Sequence, residues 1–110
     1  MTLIRQYVNA MQAGDSIALS KLFSPDAIFV DYCPKDAGQA QISAYGPEAI
    51  DMFFRNRFIF RRFKIFDPVI VSDTQVYYYA IYGDYHMRAV ATIQDFSEDG
   101  EIQRMVVRPA

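Results

Sequence analysis

Helical spacing of apolar residues dominates the first part of the chain. The first stripe, at positions i, i+1, i+4, i+5 and i+8, consists of Leu3, Ile4, Tyr7, Val8 and Met11. This spacing predicts a helix over about residues 2–13. Gly14 suits the end of that helix, and Asp15 can cap a second one, which stops before Pro25. Gly46 then opens a third helix, followed by proline and glutamate, which are favoured at a helix start.

Alternation of apolar and polar positions predicts the strands. Residues 26–32 form the first, with Ala27, Phe29 and Asp31 on one face. Residues 33–45 are small and polar, which is typical of a loop. Four more strands follow the third helix as an antiparallel meander, at about 62–71, 74–82, 86–97 and 101–107. This order predicts one α+β domain over residues 1–110, with three helices packed on a curved antiparallel sheet.

Composition narrows the class of protein. The chain has 110 residues and a formal net charge of −2, so its overall field does not favour nucleic acid or anionic membranes. Its single cysteine excludes an intrachain disulfide and fits a reduced, cytoplasmic compartment. There is no secretory leader and no apolar run near the ~20 residues that span a bilayer, so neither export nor membrane insertion is expected.

Two polar side chains occupy positions where burial is expected: Tyr7 on the first apolar stripe and Asp31 on a mostly apolar strand. Buried polar groups need a partner or a chemical role. A carboxylate facing an apolar cavity could act as a general base, and a phenol could donate a hydrogen bond to a developing enolate. Plain structural roles remain open for both. Tyr7 could be a core ring bonded to a backbone carbonyl, and Asp31 could cap a turn near Pro34 or pair with an arginine at the rim.

Three further features have ordinary explanations beside functional ones. His86 is the only histidine, so no metal site is predicted, although it could stand at the end of a pocket. The segment Phe53–Phe66 mixes five basic side chains with aromatic rings. That mixture fits a helix C-terminus followed by a half-solvated strand better than a nucleic-acid surface. Cys33 is expected to be a partly buried thiol.

Four segments resemble the NTF2-like superfamily of cone-shaped α+β pocket proteins, and most closely its SnoaL-like and ketosteroid isomerase-like branch. In chain order they are RQYVNAMQAGD, LFSPDAIFVD, GPEAIDMFF and DGEIQRM. The family's oxyanion-binding tyrosine matches Tyr7, and its general-base aspartate matches Asp31. Its second oxyanion donor, an acid, falls at Thr92, whereas the nearby Asp95 is offset to the opposite strand face.

The resemblance implies a cofactor-free isomerase, cyclase or dehydratase that removes a proton next to the carbonyl of a hydrophobic, steroid- or polyketide-like substrate. A non-catalytic module that binds a ligand or only dimerises is the alternative. Besides the catalytic pair Tyr7 and Asp31, the residues expected to line the pocket are Phe23, Phe29, Phe54, Phe58, Tyr77, Tyr79, His86, Thr92, Phe96 and Met105.

A tyrosine-rich strand is the basis of one further expectation. By comparison with the family, the side chains of Tyr77 and Tyr79 are expected to point into the cone, and those of Tyr78 and Tyr82 to point outward. A row of exposed rings on the outer face predicts a homodimer formed through the sheet.

Overall fold

In a computed structural model, three helices pack on a curved, open sheet of six strands. The helices are α1 Leu3–Ala13, α2 Ser16–Ser20 and α3 Gly46–Phe60. The strands are β1 Phe23–Asp31, β2 Ile42–Tyr45, β3 Lys64–Ser72, β4 Gln75–Tyr82, β5 Tyr85–Phe96 and β6 Ile102–Pro109. The structure describes residues 1–60 and 62–110, and Arg61 of the predicted basic segment lies outside them. The predicted α+β class, with three helices on a sheet, is confirmed.

The ends of the first two helices follow their sequence signals. The Thr2 side chain accepts a hydrogen bond from the Arg5 N–H (3.2 Å) at the start of α1. Gly14 ends α1 in the left-handed region at φ 65°, which glycine adopts at no steric cost. Asp15 then accepts from the Ala18 N–H (3.0 Å) and caps α2, as predicted. These caps fix the tight turn that places α1 and α2 side by side.

The sheet is mixed, whereas a curved antiparallel sheet was predicted. Its strand order is β2-β1-β6-β5-β4-β3, and β1 runs parallel to β6. The predicted meander is present, because β3, β4, β5 and β6 pair consecutively and antiparallel. Turn residues indicate which neighbouring strands form hairpins, but they carry no signal for where the first strand joins the last. The parallel contact is a tertiary pairing of that kind.

The predicted loop 33–45 contains regular structure. A 3-10 turn covers Cys33–Ala37, and the short strand β2 pairs antiparallel with β1, with Ile42 opposite Asp31. β2 is only four residues long, too short for alternation to distinguish it from a loop. This hairpin matters for the site because it holds the end of β1 in place.

Strand β4 has the opposite orientation from the one predicted. Val76, Tyr78 and Ala80 are buried against the helices, while Tyr77 and Tyr79 point away from them. Within residues 1–60 and 62–110, no helix is long and apolar enough to cross a membrane.

Candidate functional site

A cavity of about 170 Å³ lies between the helices and the inner face of the sheet. Most of its wall is apolar and comes from every layer of the fold. Its lining consists of Tyr7, Met11, Phe29, Asp31, Cys33, Pro34, Ala37, Gln39, Ile42, Phe54, Arg57, Phe63, Tyr78, Ala80, Tyr82, Tyr85, Met87, Ala89 and Val107. Two hydrogen-bonded pairs of polar side chains interrupt this apolar surface, and both are almost fully buried.

The first pair consists of two phenols. Tyr7 in the middle of α1 and Tyr78 on β4 are fully buried, and their hydroxyl oxygens lie 2.9 Å apart. Burial raises the pKa of Tyr7 far above its ordinary value, an effect that the hydrogen bond between Tyr7 and Tyr78 offsets only in part. Burial likewise raises the pKa of Tyr78. Because one hydroxyl donates to the other, one phenolic proton is left for a further acceptor.

The second pair is ionic. Arg57, in the last turn of α3, donates from Nη1 to Oδ2 of Asp31 at the end of β1 (2.9 Å), and the two side chains are only 7% and 5% exposed. The backbone N–H of Cys33 donates to Oδ1 of the same carboxylate (2.9 Å). The carboxylate thus has a cation and a backbone donor, which a buried charge requires.

Aromatic rings hold the guanidinium in place. Its central carbon lies 4.4 Å from the ring centroid of Phe53 and 4.7 Å from that of Phe63. Such contacts favour a planar cation over the face of an aromatic ring. Arg57 is therefore fixed from both ends, by the rings along its side chain and by the carboxylate at its tip.

Both structural roles considered for Asp31 are present: it caps the turn after β1 and it pairs with an arginine. The arginine lies in the interior and not at the rim. Asp31 nevertheless lines the same cavity as Tyr7, so the structure brings the two candidate catalytic residues together. Phe29 and Phe54 of the predicted pocket also line it.

The other predicted pocket residues lie elsewhere. Phe23 and Met105 are buried in the core without reaching the cavity, and Phe58 is half-buried and packs 5.7 Å from Phe54, ring to ring. They share the hydrophobic character of the lining but occupy neighbouring layers. Phe23 and Met105 thus belong to the core, Phe58 packs against it, and none of the three lines this cavity.

Strand parity explains the remaining corrections. On the outer face of the sheet, Tyr77 pairs with Val90, Tyr79 with Arg88, His86 with Ile81, and Thr92 with Gln75. Tyr77, Tyr79, His86 and Thr92 therefore point away from the cavity. Phe96 is exposed at the end of β5. Side chains alternate between the two faces of a strand. Assigning the wrong face to the cavity therefore misplaced all the predicted pocket residues of β4 and most of those of β5.

The position of the family's second oxyanion acid is also outside the cavity. The Thr92 hydroxyl accepts from Gln75 Nε2 (3.1 Å) on the outer face. Asp95 sits between two register shifts of β5, is exposed, and accepts from the N–H of Phe96 (3.1 Å). Of the described residues that line the cavity, Asp31 is the only acidic one.

Sequence reasoning missed Arg57 and Tyr78. A signal for Arg57 existed, since Ile50, Phe54 and Arg57 fall at i, i+4 and i+7 on the buried stripe of α3. Its position near a helix C-terminus suggested a solvated cation. Tyr78 was assigned to the outer face by the same parity error as its neighbours.

Cys33 also lines the cavity, directly after the turn that Asp31 caps. Burial raises the pKa of its thiol far above the ordinary value, and the negative charge of Asp31 acts in the same direction. The thiol is therefore protonated at neutral pH. Among the described residues, no three His, Cys, Asp or Glu side chains lie close enough to hold a metal ion.

Comparisons with known proteins identify the fold. No protein-family model and no curated protein matches the sequence. Solved structures do match, at 14–19% sequence identity among the leading examples. An NTF2-like protein of unknown function from Cytophaga hutchinsonii is 16% identical with a TM-score of 0.67, covering 98% of this chain and 87% of that one.

Two other structures extend the comparison. A SnoaL-like protein of unknown function from Burkholderia thailandensis is 16% identical with a TM-score of 0.67, covering 97% of this chain and 91% of that one. A hypothetical protein with a ketosteroid isomerase-like fold from Catenulispora acidiphila is 15% identical with a TM-score of 0.65, covering 98% and 85%. The chain therefore has the NTF2-like fold, in the form shared by SnoaL-like and ketosteroid isomerase-like proteins.

Proposed function

We propose that the protein is a cofactor-free enzyme of the isomerase or cyclase type, which removes a proton from the carbon next to a carbonyl in a small hydrophobic substrate. One observation carries the proposal. The phenol pair of Tyr7 and Tyr78 and the carboxylate of Asp31 line the same mostly apolar cavity. A hydrogen-bond donor and a base facing one water-poor space are the groups that enolisation requires.

The proposed step uses these groups as follows. Asp31 takes the proton as the C–H bond breaks, and the electron pair of that bond moves onto the carbonyl oxygen. The developing oxyanion accepts a hydrogen bond from the phenolic O–H that the Tyr7–Tyr78 bond leaves uncommitted, and the phenol keeps its proton. The enolate is then protonated by Asp31 at another carbon, which gives an isomer, or attacks an electrophilic carbon, which closes a ring.

Cavity size restricts the substrate. A cavity of roughly 150 Å³ lined by apolar side chains is known to bind benzene, and pockets for drug-sized ligands hold roughly 300 Å³ or more. At about 170 Å³ this cavity matches a compound with one ring. A four-ring steroid, which the resemblance had suggested, is too large for it in this conformation.

A ligand-binding protein without chemistry is the second candidate, and one observation favours it. Asp31 already accepts hydrogen bonds from Arg57 and from the backbone of Cys33. Both carboxylate oxygens are therefore already engaged within the protein. The same cavity could then hold a neutral carbonyl compound without removing its proton.

Cyclohex-3-enone tests the proposal, because it has one ring and an acidic C–H between its carbonyl and its double bond. We expect the protein to accelerate its conversion to the conjugated enone, followed by ultraviolet absorbance. Asp31→Asn should lower the rate by at least ~10²-fold, since the base is removed. Asp95→Asn is the matched control, because this acid is exposed and far from the cavity lining, and it should leave the rate unchanged.

The two candidates separate in the same experiment. Saturable binding of the enone, seen as a rise in Tm, without isomerisation would favour the binding protein. Neither binding nor turnover by the wild-type protein would reject both candidates for single-ring carbonyl compounds. Equal loss in Asp31→Asn and Asp95→Asn would reject Asp31 as the base.

A further inference from the structure

Arg57 has more hydrogen-bond donors than the protein uses. A guanidinium carries five N–H groups. Across the described part of the chain, the only hydrogen bond of this side chain goes from Nη1 to Asp31. Nε is buried and has no partner. An unsatisfied Nε–H on a nine-tenths-buried cation is costly, and a ligand held in the cavity that Arg57 lines would supply an acceptor for its free donors.

Charge balance indicates what kind of acceptor fits. Asp31 and Arg57 together are neutral, and among the described residues of the lining they are the only oppositely charged pair. A permanently anionic ligand would add an uncompensated charge beside the carboxylate of Asp31, which is unfavourable in a buried site. A neutral carbonyl oxygen can accept from the guanidinium with no change in net charge.

We propose that Arg57 is the second oxyanion donor of the site, an inference that rests on the proposed proton abstraction. As the C–H bond breaks, Asp31 takes the proton and becomes neutral, and the negative charge appears on the substrate oxygen. Arg57 then changes its counterion, from the carboxylate of Asp31 to the enolate oxygen. The total charge of the cavity stays constant throughout the step.

This exchange gives stabilisation where catalysis requires it. In the ground state the positive charge of Arg57 is neutralised by Asp31, and in the transition state it faces the growing oxyanion. The role is the one that the family assigns to an acid on the penultimate strand. Here neither Thr92 nor Asp95 reaches the cavity, whereas Arg57 on α3 does.

An ionisable dye, 4-nitrophenol, tests the inference without turnover, because its phenolate mimics an enolate and absorbs at a different wavelength from the neutral form. In Asp31→Asn, Arg57 has lost its anionic partner. We therefore expect this variant to bind the phenolate at least about 10-fold more tightly than the wild-type protein. Adding Arg57→Met to Asp31→Asn should lower that affinity by about 10- to 100-fold, since a charge-assisted hydrogen bond is lost.

Arg55→Met in the Asp31→Asn background is the matched control. Arg55 lies on the same helix but is exposed, and its partner is Asp51 (2.8 Å). The dye affinity should not change. Equal affinity of Asp31→Asn with and without Arg57→Met would overturn the inference and leave Arg57 as a structural partner only.

A second comparison keeps the test valid if Asp31→Asn does not fold. Asp31→Ser also removes the carboxylate, so it should bind the phenolate more tightly than the wild-type protein does, and adding Arg57→Met to it should lower that affinity by about 10- to 100-fold. Equal phenolate affinity of Asp31→Ser with and without Arg57→Met would also overturn the inference. If phenolate binding depends on Arg57 but cyclohex-3-enone is not isomerised, the donor is correct and the proposed reaction is wrong.

Discussion

The two faces of β4 carry the same type of side chain with opposite properties. Tyr78 on the inner face is fully buried, shares a hydrogen bond with Tyr7, and has a raised pKa because of burial. Tyr79, the next residue, is 50% exposed on the outer face, with the Arg88 guanidinium 6.0 Å from its ring centroid. Adjacent residues of one strand are thus a buried hydrogen-bonding hydroxyl, at Tyr78, and a surface ring, at Tyr79. The face of the sheet on which a tyrosine lies determines which of the two it is.

Helix α3 shows the same contrast for charged pairs. Arg57 and Asp31 are 2.9 Å apart and 7% and 5% exposed, whereas Arg55 and Asp51 are 2.8 Å apart and 53% and 23% exposed. The distances are nearly equal, yet water screens only the second pair. Comparing a variant of an inner residue with the same variant of its outer counterpart can therefore measure what burial contributes to the free energy of unfolding.

The largest expected effect is on the buried ion pair. Arg57→Met leaves the carboxylate of Asp31 buried without a cation, so we expect the free energy of unfolding to fall by about 3–5 kcal/mol. Arg55→Met should cost no more than about 1 kcal/mol, because its pair is exposed and screened. Urea unfolding of both variants measures the difference.

A double variant sharpens this comparison. Replacing both partners, Asp31→Asn with Arg57→Met, removes the unpaired charge and should recover much of the loss. If the double variant is as unstable as the sum of the two single ones, then the pair is not coupled and the destabilisation comes from packing of the Arg57 side chain against the phenylalanine rings.

The second effect is a loss of stability in alkali. Cys33 and the two buried tyrosines titrate at ordinary values of 9.0 and 10.0 in the unfolded chain, while burial raises the pKa of each in the folded state. Above about pH 9 the folded state therefore holds more protons than the unfolded one. The free energy of unfolding falls as pH rises, by up to ~1.4 kcal/mol per pH unit for each group.

Urea unfolding at about pH 8 and about pH 10.5 checks this dependence. Cys33→Ala should delay its onset, because the group with the lowest ordinary pKa is gone. A flat profile in the wild-type protein would contradict the burial of these three groups.

A smaller effect concerns the hydroxyl groups themselves. Tyr78→Phe removes one partner of a buried hydrogen bond, and we expect a cost of about 1 kcal/mol. Tyr79→Phe should be within about 0.5 kcal/mol of the wild-type protein, because its hydroxyl is on the exposed face. Removing both buried hydroxyls, from Tyr7 and Tyr78, should cost less than the sum of the two single changes. An additive result would indicate that the two phenols are not bonded to each other.

These contrasts show how far the sequence could predict the molecule. Local signals were sufficient for the helix caps and for the meander, because each depends on residues a few positions apart. Tyr7 and Asp31 were found because a polar group on an apolar stripe is conspicuous. The partners of these two residues, Tyr78 and Arg57, could not be paired with them, since they are 71 and 26 residues distant in the chain.

The lining of the cavity was harder to predict than the core. Strand β4 has tyrosines at three consecutive positions, 77–79, so hydrophobicity did not distinguish its faces. The face is decided by which residues of β5 and the helices lie against it. Arg57 was misassigned because its charge suggested solvent, whereas the aromatic rings and Asp31 make its burial favourable.

The homodimer stays a prediction, and the corrected faces change which residues would form it. Phe66, Val69 and Tyr79 on the outer face are between 41% and 57% exposed. Phe66 pairs with Tyr79 and Val69 with Tyr77 across β3 and β4, so these side chains are neighbours on one surface. Contiguous apolar rings and aliphatic groups of this kind favour association with a second copy.

We expect sedimentation at micromolar concentration to show a dimer. Tyr79→Asp should weaken it by about 10-fold or more, because a charge in the contact must be desolvated, whereas Tyr79→Phe should preserve it. Tyr78→Phe, on the inner face, should not change the sedimentation at all. A monomer at every concentration would mean that this outer surface is simply solvated. Only the inner face of β4, which lines the cavity, would then have a proposed function.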